Sequence, residues 1–227
     1  MADGHHRYET ALQYRDELEA SEGTLSTDAA AKFVMMTLIS MDDPGLLVLP
    51  YHRIMSGLSD DELASLKRQL ERAFSMEGFD VPEASAEATA KALEERLSRE
   101  PSDEVVVVAY GLEPGKAHLL TLREAFKPAP DAPSLERCDM WLMHEHGIRS
   151  AIGEQREEQT VVFVHDSIEA VGSVMSDNSQ IAFLLRALPM ALFEDVVGKG
   201  ERLPSKSTYF YPKLPTGLVF NNLVGEL

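Results

Sequence analysis

The densest group of polar side chains lies at the start of the chain, where Asp3, Gly4, His5, His6 and Arg7 precede a predicted helix. Glycine lets a ligand approach the backbone, and a helix N-terminus offers unpaired N–H groups and the positive end of a dipole. The Arg7 guanidinium matches phosphate or carboxylate geometry, and imidazoles donate to anions or transfer protons. We interpret the pentapeptide as an anion or phosphate cradle with Asp3 as its acidic neighbour. The alternative is a solvated helix start that Asp3 caps.

A second polar group lies near the C-terminus. It combines lysines, hydroxyls and phenols: Lys206, Ser207, Thr208, Tyr209, Tyr211 and Lys213. Together they could bind the phosphate or carboxylate of a substrate. A P-loop is excluded, because Ser205 stands where the motif requires its second glycine and the residues that follow are extended. The alternative is an edge strand whose aromatic side chains pack inward and whose lysines protect the edge.

Two further pairs follow predicted strands. His52 and Arg53 come directly after the apolar stretch LLVLP. Side chains at the carboxyl end of a strand often face the ligand crevice of an open α/β sheet, so we predict that both contact a cofactor. The alternative is a loop pair that bonds nearby backbone carbonyls. His165 and Asp166 stand in a similar place, with Asp166 predicted as the N-cap of the next helix.

The remaining titratable residues indicate no metal site. His144 and His146 end a predicted helix, and their i, i+2 spacing puts the imidazoles on different helix faces. Attraction to the helix dipole explains them at this end. The single cysteine, Cys138, excludes an intramolecular disulfide and a cysteine-based zinc cluster, and it fits a reducing cytoplasm. Acidic pairs such as Glu157-Glu158 are interpreted as solvated faces.

The overall charge limits the partners. The chain has 21 Lys and Arg against 38 Asp and Glu, a net charge of −17, which disfavours broad binding to nucleic acid or anionic lipid. No apolar run approaches the roughly 20 residues of a membrane span, and the first residues lack the apolar core of a signal peptide. We expect a cytoplasmic protein without nucleic-acid or membrane partners, whose anionic ligand needs a local cationic pocket.

Hydrophobic patterns predict the elements that position these groups. Helices are predicted over 8–20, 59–76, 82–99, 134–146, 166–175 and 190–197. Ser59 or Asp60 is predicted to cap the second of these helices, and Gly147 to end the fourth. Strands are predicted over 31–41, 46–50, 78–81, 104–110, 117–123, 160–165 and 179–188, with an edge strand or extended tail over 209–220. The two strands that flank GLEPGK predict a hairpin. This order favours an α/β or α+β fold with a mixed sheet and flanking helices.

Three segments together resemble a known family. ADGHHRYETALQYRDE, MDDPGLLVLPYHR and LPSKSTYFYPKLPTGLV are similar to segments of the family named as domain of unknown function 1015. The family's second segment usually contains LPTHR, and Tyr51 replaces the threonine here, so this position departs from the family pattern and the resemblance does not establish a hydroxyl role there. Family members are typically longer at the N-terminus, which implies that this chain is truncated there.

The DGHHR segment in turn resembles the phosphate-binding turn of the ParB/sulfiredoxin superfamily, which includes free serine kinase. This resemblance implies that Gly4, His5, His6 and Arg7 bind nucleotide phosphates, with Asp3 nearby, beside a metal ion. In the kinase the catalytic acid precedes the motif, which implies that this chain lacks it. We therefore expect residues 1–58 to be the C-terminal fragment of a ParB/sulfiredoxin-like domain. Residues 59–227 would form an α/β domain that returns a C-terminal strand toward the site.

These observations lead to three hypotheses. The first is a kinase-like phosphotransferase for a small molecule that uses ATP or ADP with Mg²⁺. Asp3, His5, His6 and Arg7 would then be catalytic, and the C-terminal polar group, including Tyr211 and Lys213, would bind the substrate. The second is a non-catalytic nucleotide-binding regulator of the ParB type without a DNA-binding domain. The third is an inactive truncated fragment.

Overall fold

The computed structural model describes residues 4–82, 84–204, 206–215 and 217–226. The predicted site residue Asp3 and the P-loop position Ser205 lie outside the described residues. The chain divides into two compact units. The first unit comprises Met1–Leu47 and Phe210–Leu227, and the second comprises Val48–Tyr209. The predicted domain boundary between residues 58 and 59 stays a prediction.

The first unit contains one long helix, α1 (His5–Glu22), and a 3-10 turn at Ala30–Lys32. The helix predicted over 8–20 is thus confirmed and extended at both ends. The C-terminal segment of the unit runs beside the 3-10 turn: the Ala30 N–H donates to the carbonyl of Gly225 at 2.9 Å, and the Asn221 amide donates to the carbonyl of Ala30 at 3.1 Å. These bonds join the N-terminal and C-terminal segments of the chain within the unit.

The strand predicted over 31–41 is wrong. The described backbone leaves the 3-10 turn and forms no ladder over 33–41, and apolar side chains there are exposed, with Leu38 at 92%. A strand needs a neighbour that supplies hydrogen bonds, and the described part of the chain pairs none with this segment. Apolar composition alone therefore did not determine the local structure.

The second unit is built on a sheet. In the described part of the chain, six strands follow the order β3-β5-β4-β7-β2-β6, and their pairings are antiparallel. A separate two-stranded sheet pairs β1 with β8. The strands are β1 (Leu47–Leu49), β2 (His52–Met55), β3 (Phe74–Asp80), β4 (Val106–Glu113), β5 (Lys116–Leu122), β6 (Val161–Val164), β7 (Ile181–Leu184) and β8 (Tyr209–Tyr211). The hairpin predicted around GLEPGK is confirmed as β4 and β5.

Helices flank this sheet, so the expected α/β or α+β class with flanking helices is confirmed, whereas the expected mixed sheet is corrected to one whose described pairings are antiparallel. They are α2 (Asp60–Ala73), α3 (Ala86–Ser98), α4 (Asp139–Met143), a π-helix (His144–Arg149), α5 (Ser150–Ile152), α6 (Glu154–Thr160), α7 (Ser167–Met175) and α8 (Met190–Gly198). Shorter 3-10 turns lie at Glu124–Phe126 and Ser134–Arg137. Across the described residues, no helix is long and apolar enough to cross a membrane.

Strand alternation separates two layers of packing. Ile54 of β2 packs with Leu184 of β7 in the core that also contains Leu93 of α3 and Val171 of α7. Successive side chains of a strand point to opposite faces. Arg53 therefore points to the other face, where it contacts the π-helix. The same strand thus serves an apolar core on one face and a polar contact on the other.

Local caps determine where two helices begin. Ser59 and Glu62 form a capping box at the start of α2: the Glu62 N–H donates to the Ser59 hydroxyl, and the Ser59 N–H donates to the Glu62 carboxylate. The predicted Ser59 cap is confirmed. The helix predicted from Pro82 instead begins at Ala86, because the Ser85 hydroxyl accepts the N–H of Ala88 and caps it there.

Gly147 does not end a helix, which corrects the prediction over 134–146. The backbone continues from α4 through the π-helix to α5 and turns at Gly153, whose φ is 80°. A Cβ on Gly147 would lie 3.2 Å from the Met143 sulfur and 3.3 Å from Leu70 Cδ2. Gly147 is therefore required for close packing, whereas Gly153 supplies the positive φ at which the segment ends.

Gly111→Ala tests the tightest backbone approach in the second unit. Gly111 has φ +100° beside a register shift in β4, and its Cβ would lie 2.3 Å from the carbonyl oxygen of Gln180. We expect Gly111→Ala to lower the free energy of unfolding by about 3 kcal/mol or more, because strain and a backbone clash add.

The matched control is Gly57→Ala, since Gly57 has φ +71° but open space around its Cβ position. Strain alone predicts a loss of about 1–2 kcal/mol there. Urea denaturation of both variants measures the difference. Equal losses would contradict the clash at Gln180.

Candidate functional site

The predicted phosphate cradle lies at the start of α1 in the first unit. Gly4 has φ 84° and ψ 22°, and its carbonyl accepts the N–H of Tyr8 at 3.0 Å to begin the helix. The Arg7 side chain folds back toward Gly4: a Cβ on the glycine would lie 3.0 Å from Arg7 Nη2. His5, His6 and Arg7 are exposed on the first turn, and His6 Nδ1 lies 3.6 Å from the Glu9 carboxylate.

A cluster of rings and one ammonium forms in the second unit. The His165 ring lies 4.4 Å from the Tyr209 ring, and Tyr209 meets the Tyr51 ring edge-on at 5.7 Å. Lys206 Nζ lies 5.3 Å from the centre of the Tyr51 ring. We call these four residues the Tyr51 cluster. It brings together residues of three segments that are far apart in the sequence.

The sheet explains this meeting. Tyr51 directly precedes β2 and His165 directly follows β6, and the two strands are antiparallel with His52 opposite Val164. Tyr51 and His165 therefore lie at the same end of the pair. Lys206 has φ 60°, a left-handed conformation that non-glycine residues rarely adopt, and it occurs in the turn that leads to Tyr209.

The other residues predicted to bind substrate lie around this turn or beyond it. The buried Ser207 hydroxyl donates to the carbonyl of Pro204 at 2.6 Å and closes the turn, and Thr208 is half-buried. Tyr211 and Lys213 belong to the first unit and are exposed. Substrate contact by these four residues stays a prediction.

His52 is buried, with 3% of its surface exposed. Its Nδ1 accepts the N–H of Leu185 at 3.3 Å, so the proton of the neutral ring is on Nε2. Burial, and secondarily the positive charge of Arg53, lowers the pKa of His52 from 6.5 to about 4. His52 is thus a neutral structural acceptor at neutral pH, and its contact with a cofactor stays a prediction.

Arg53 is more deeply buried, with 1% exposed. Its Nη1 donates to the carbonyl of Tyr51, and its Nε donates to His144 Nε2 at 2.9 Å. Burial lowers the pKa of Arg53 to about 10, although the negative charge of Glu157 opposes this effect. The guanidinium therefore remains protonated at neutral pH, and cofactor contact by Arg53 stays a prediction.

Sequence reasoning missed His144 and Glu157. It attributed His144 to the helix dipole and Glu157 to a solvated face, but the two side chains bond to each other, and Glu157 is only 6% exposed. Arg53 and His144 are 91 residues apart in the chain. No local spacing indicates such a contact. Among the described residues, no group of three or more His, Cys, Asp or Glu side chains could hold a metal ion.

A comparison with protein families identifies the chain over residues 1–164, where it matches the model described as "Protein of unknown function (DUF1015)". The chain belongs to the DUF1015 family. The resemblance carried by its first two segments is therefore confirmed. A comparison with curated proteins found no match.

Solved structures show weak similarity to this DUF1015 protein. A conserved hypothetical protein from Pyrococcus furiosus has 14% identity and a TM-score of 0.43, covering 79% of this chain and 62% of that one. Free serine kinase in complex with AMP has 14% identity and a TM-score of 0.42, covering 77% and 57%. A mutant of that kinase in complex with ADP has 13% identity and a TM-score of 0.43, covering 92% and 82%. The chain thus spans about three fifths of the first two structures.

The buried His52 predicts an acid-dependent loss of stability. Below pH 6.5 the unfolded state binds a proton, whereas folded His52 stays neutral down to about 4. Its stabilising effect is therefore complete above pH 6.5 and is lost as the pH falls toward 4. When the pH falls from 7 to about 4.5, we expect His52 to lower the free energy of unfolding by about 2–3 kcal/mol.

His52→Asn isolates this effect, because asparagine retains an acceptor for the Leu185 N–H but does not titrate. Urea denaturation at the two pH values should show a loss in the wild type that exceeds the loss in the variant by that amount. The same acid loss in both proteins would rule out His52 as the source.

Proposed function

We propose that this DUF1015 protein binds a nucleotide through its phosphates and acts as a kinase-like phosphotransferase on a small molecule. The observation that carries the proposal is the start of α1. There a glycine with positive φ, the N-terminus of an 18-residue helix and the folded-back guanidinium of Arg7 occur together. Each of these features favours a phosphate.

The local charge supports an anion at this position. The first turn of α1 contains no acidic residue, and His5, His6 and Arg7 expose their side chains. The helix dipole adds a positive partial charge that falls off within this turn. A phosphate can therefore meet a local cationic surface, although the chain as a whole has a charge of −17.

The roles follow from the side-chain chemistry. Gly4 would allow close approach of the phosphate, His5 and His6 would donate hydrogen bonds, and Arg7 would stabilise charge that develops during transfer. Asp3 would bind the metal ion or transfer a proton. This assignment is the one that the similarity of DGHHR to the ParB/sulfiredoxin phosphate turn implies.

The residues present fit Mg²⁺ only if the phosphates of a bound nucleotide supply further ligands. The described residues offer no cluster of three metal-binding side chains. Mg²⁺ in phosphoryl-transfer sites is commonly held by one or two carboxylates together with the phosphates of the substrate. Asp3 would be such a carboxylate, and the ion would neutralise phosphate charge there.

The Tyr51 cluster is proposed to bind the small molecule. Lys206 supplies a positive charge, and the rings of Tyr51, His165 and Tyr209 supply an apolar surface with polar edges. These properties suit a compact substrate with a phosphate or carboxylate group. Ser207, Thr208, Tyr211 and Lys213 complete the proposed substrate residues.

Arg7→Ala tests the proposal. Loss of a hydrogen bond to a charged group costs about 1.5–3 kcal/mol, so we expect ADP and ATP to bind roughly 10- to 100-fold more weakly to the variant. Isothermal titration calorimetry with and without Mg²⁺ measures the affinities. ADP is the first probe because it is the nucleotide named in one of the free serine kinase structures, and ATP is the second.

Arg15→Ala is the matched control, since Arg15 lies on the same helix, where its Nε donates to Asp16 at 2.9 Å. It should bind nucleotide as the wild type does. Equal weakening in both variants would indicate a general charge effect, and absence of nucleotide binding to the wild type would overturn the proposal.

Turnover separates catalysis from regulation. Phosphoryl transfer from ATP or ADP is measured with small hydroxyl acceptors, beginning with free serine, the substrate that the kinase's name gives. Binding without turnover would favour the non-catalytic regulator. Neither binding nor turnover would favour the inactive fragment.

A further inference from the structure

A continuous chain of hydrogen bonds lies beneath the Tyr51 cluster. It begins at the backbone carbonyl of Tyr51, which accepts from Arg53 Nη1. Arg53 Nε then donates to His144 Nε2 at 2.9 Å. A guanidinium only donates, so His144 Nε2 must carry a lone pair and His144 Nδ1 must carry the ring proton.

Glu157 ends this chain of bonds. His144 Nδ1 donates to Oε1 of the carboxylate, and Arg149 Nε donates to Oε2 at 3.0 Å. Burial acts to raise the pKa of Glu157, but the hydrogen bonds from His144 and Arg149 and the positive charge of Arg149 outweigh it and lower the pKa. The carboxylate is thus ionised and holds the His144 tautomer that Arg53 requires.

Ring packing determines the orientation of the two middle groups. Arg53 and Phe163 are opposite each other in β2 and β6, and the guanidinium carbon lies 5.2 Å from the centre of the Phe163 ring. The His144 ring is parallel to the same ring within 10°, at 6.1 Å. Phe163 therefore restricts both partners of the hydrogen bond between Arg53 and His144.

The π-helix positions the two side chains that contact Glu157. His144 and Arg149 begin and end it, and both contact Glu157. Such helices are rare and occur frequently at functional sites. Gly147 makes this one compatible with close packing against Leu70.

These contacts converge on one backbone position. Tyr51 lies between β1 and β2, and its ring contacts Tyr209 and Lys206 in the cluster. An arginine held in a protein interior costs several kcal/mol in desolvation unless it is fully paired. Of the two hydrogen bonds described for Arg53, one holds the Tyr51 carbonyl and the other joins Arg53 to His144, which orients it.

We infer that Arg53, His144 and Glu157 are positioning residues: they hold the Tyr51 backbone so that its ring and the Lys206 ammonium are oriented for the ligand. In this role Arg53 acts on the ligand through Tyr51, whose backbone carbonyl it contacts. As far as the ligand is concerned, this inference rests on the proposed function. The orientation of Tyr51 can be measured independently of it.

The test is His144→Ala, with His146→Ala as its control. His146 lies in the same π-helix, but its ring contacts Phe126 and Trp141. The first readout is the NMR signal of the Tyr51 ring in protein labelled with ¹³C-tyrosine, assigned by Tyr51→Phe. The second is the affinity for free serine, the first substrate probe, measured by isothermal titration calorimetry. Far-ultraviolet circular dichroism checks that both variants retain the fold.

We expect His144→Ala to shift the Tyr51 signal and to weaken binding of free serine about tenfold, because a small displacement of a positioned group has a large effect. His146→Ala should leave both unchanged. An unshifted Tyr51 signal in folded His144→Ala would overturn the inference. So would equal shifts in both variants, which would indicate a general loosening.

Glu157→Gln keeps the inference testable if His144→Ala does not fold. It retains the size of the side chain and one acceptor oxygen but removes the charge. We expect it to shift the Tyr51 signal, whereas Glu158→Gln on the exposed side of α6 should not. An unshifted signal in Glu157→Gln would overturn the inference. If the wild type binds no ADP, the proposed function fails, while the Tyr51 signal still decides the positioning role.

Discussion

A guanidinium buried within a sheet requires partners for its charge and for its donors, and Arg53 imposes this requirement on the second unit. Its side chain is 1% exposed, and burial lowers its pKa only to about 10, so it stays charged at neutral pH. An unpaired buried charge is far more costly than the marginal stability of a domain allows. The positions of Tyr51, His144 and Glu157 are therefore coupled, because together they satisfy this one group.

The same requirement explains how β2 serves two purposes. Ile54 enters the apolar core with α3 and α7, whereas Arg53 on the opposite face contacts the π-helix. His52 adds a buried acceptor for the N–H of Leu185, next to β7. A strand of four residues thus joins the core, the polar network and the start of the Tyr51 cluster.

Local features could be predicted because they depend on neighbours a few residues away. The Ser59 cap of α2, the hairpin of β4 and β5 and the Asp166 cap of α7 are examples, and all three are confirmed. The strand expected over 31–41 failed for the complementary reason, since a strand depends on a partner that its own residues do not specify. Gly147 was misjudged because a glycine serves both to end helices and to permit close packing.

The amino-acid sequence by itself determined the helix caps, the hairpin and the family, together with the concentration of Gly4, His5, His6 and Arg7 at the start of a helix. Only the tertiary structure decided that Tyr51, His165, Tyr209 and Lys206 meet, and that Glu157 is a buried partner of His144. The physical reason is how far apart in the sequence the contacting residues lie. Caps and turns are formed by bonds within a few residues, whereas burial and charge pairing across 91 residues depend on the order of the strands, which no local pattern specifies.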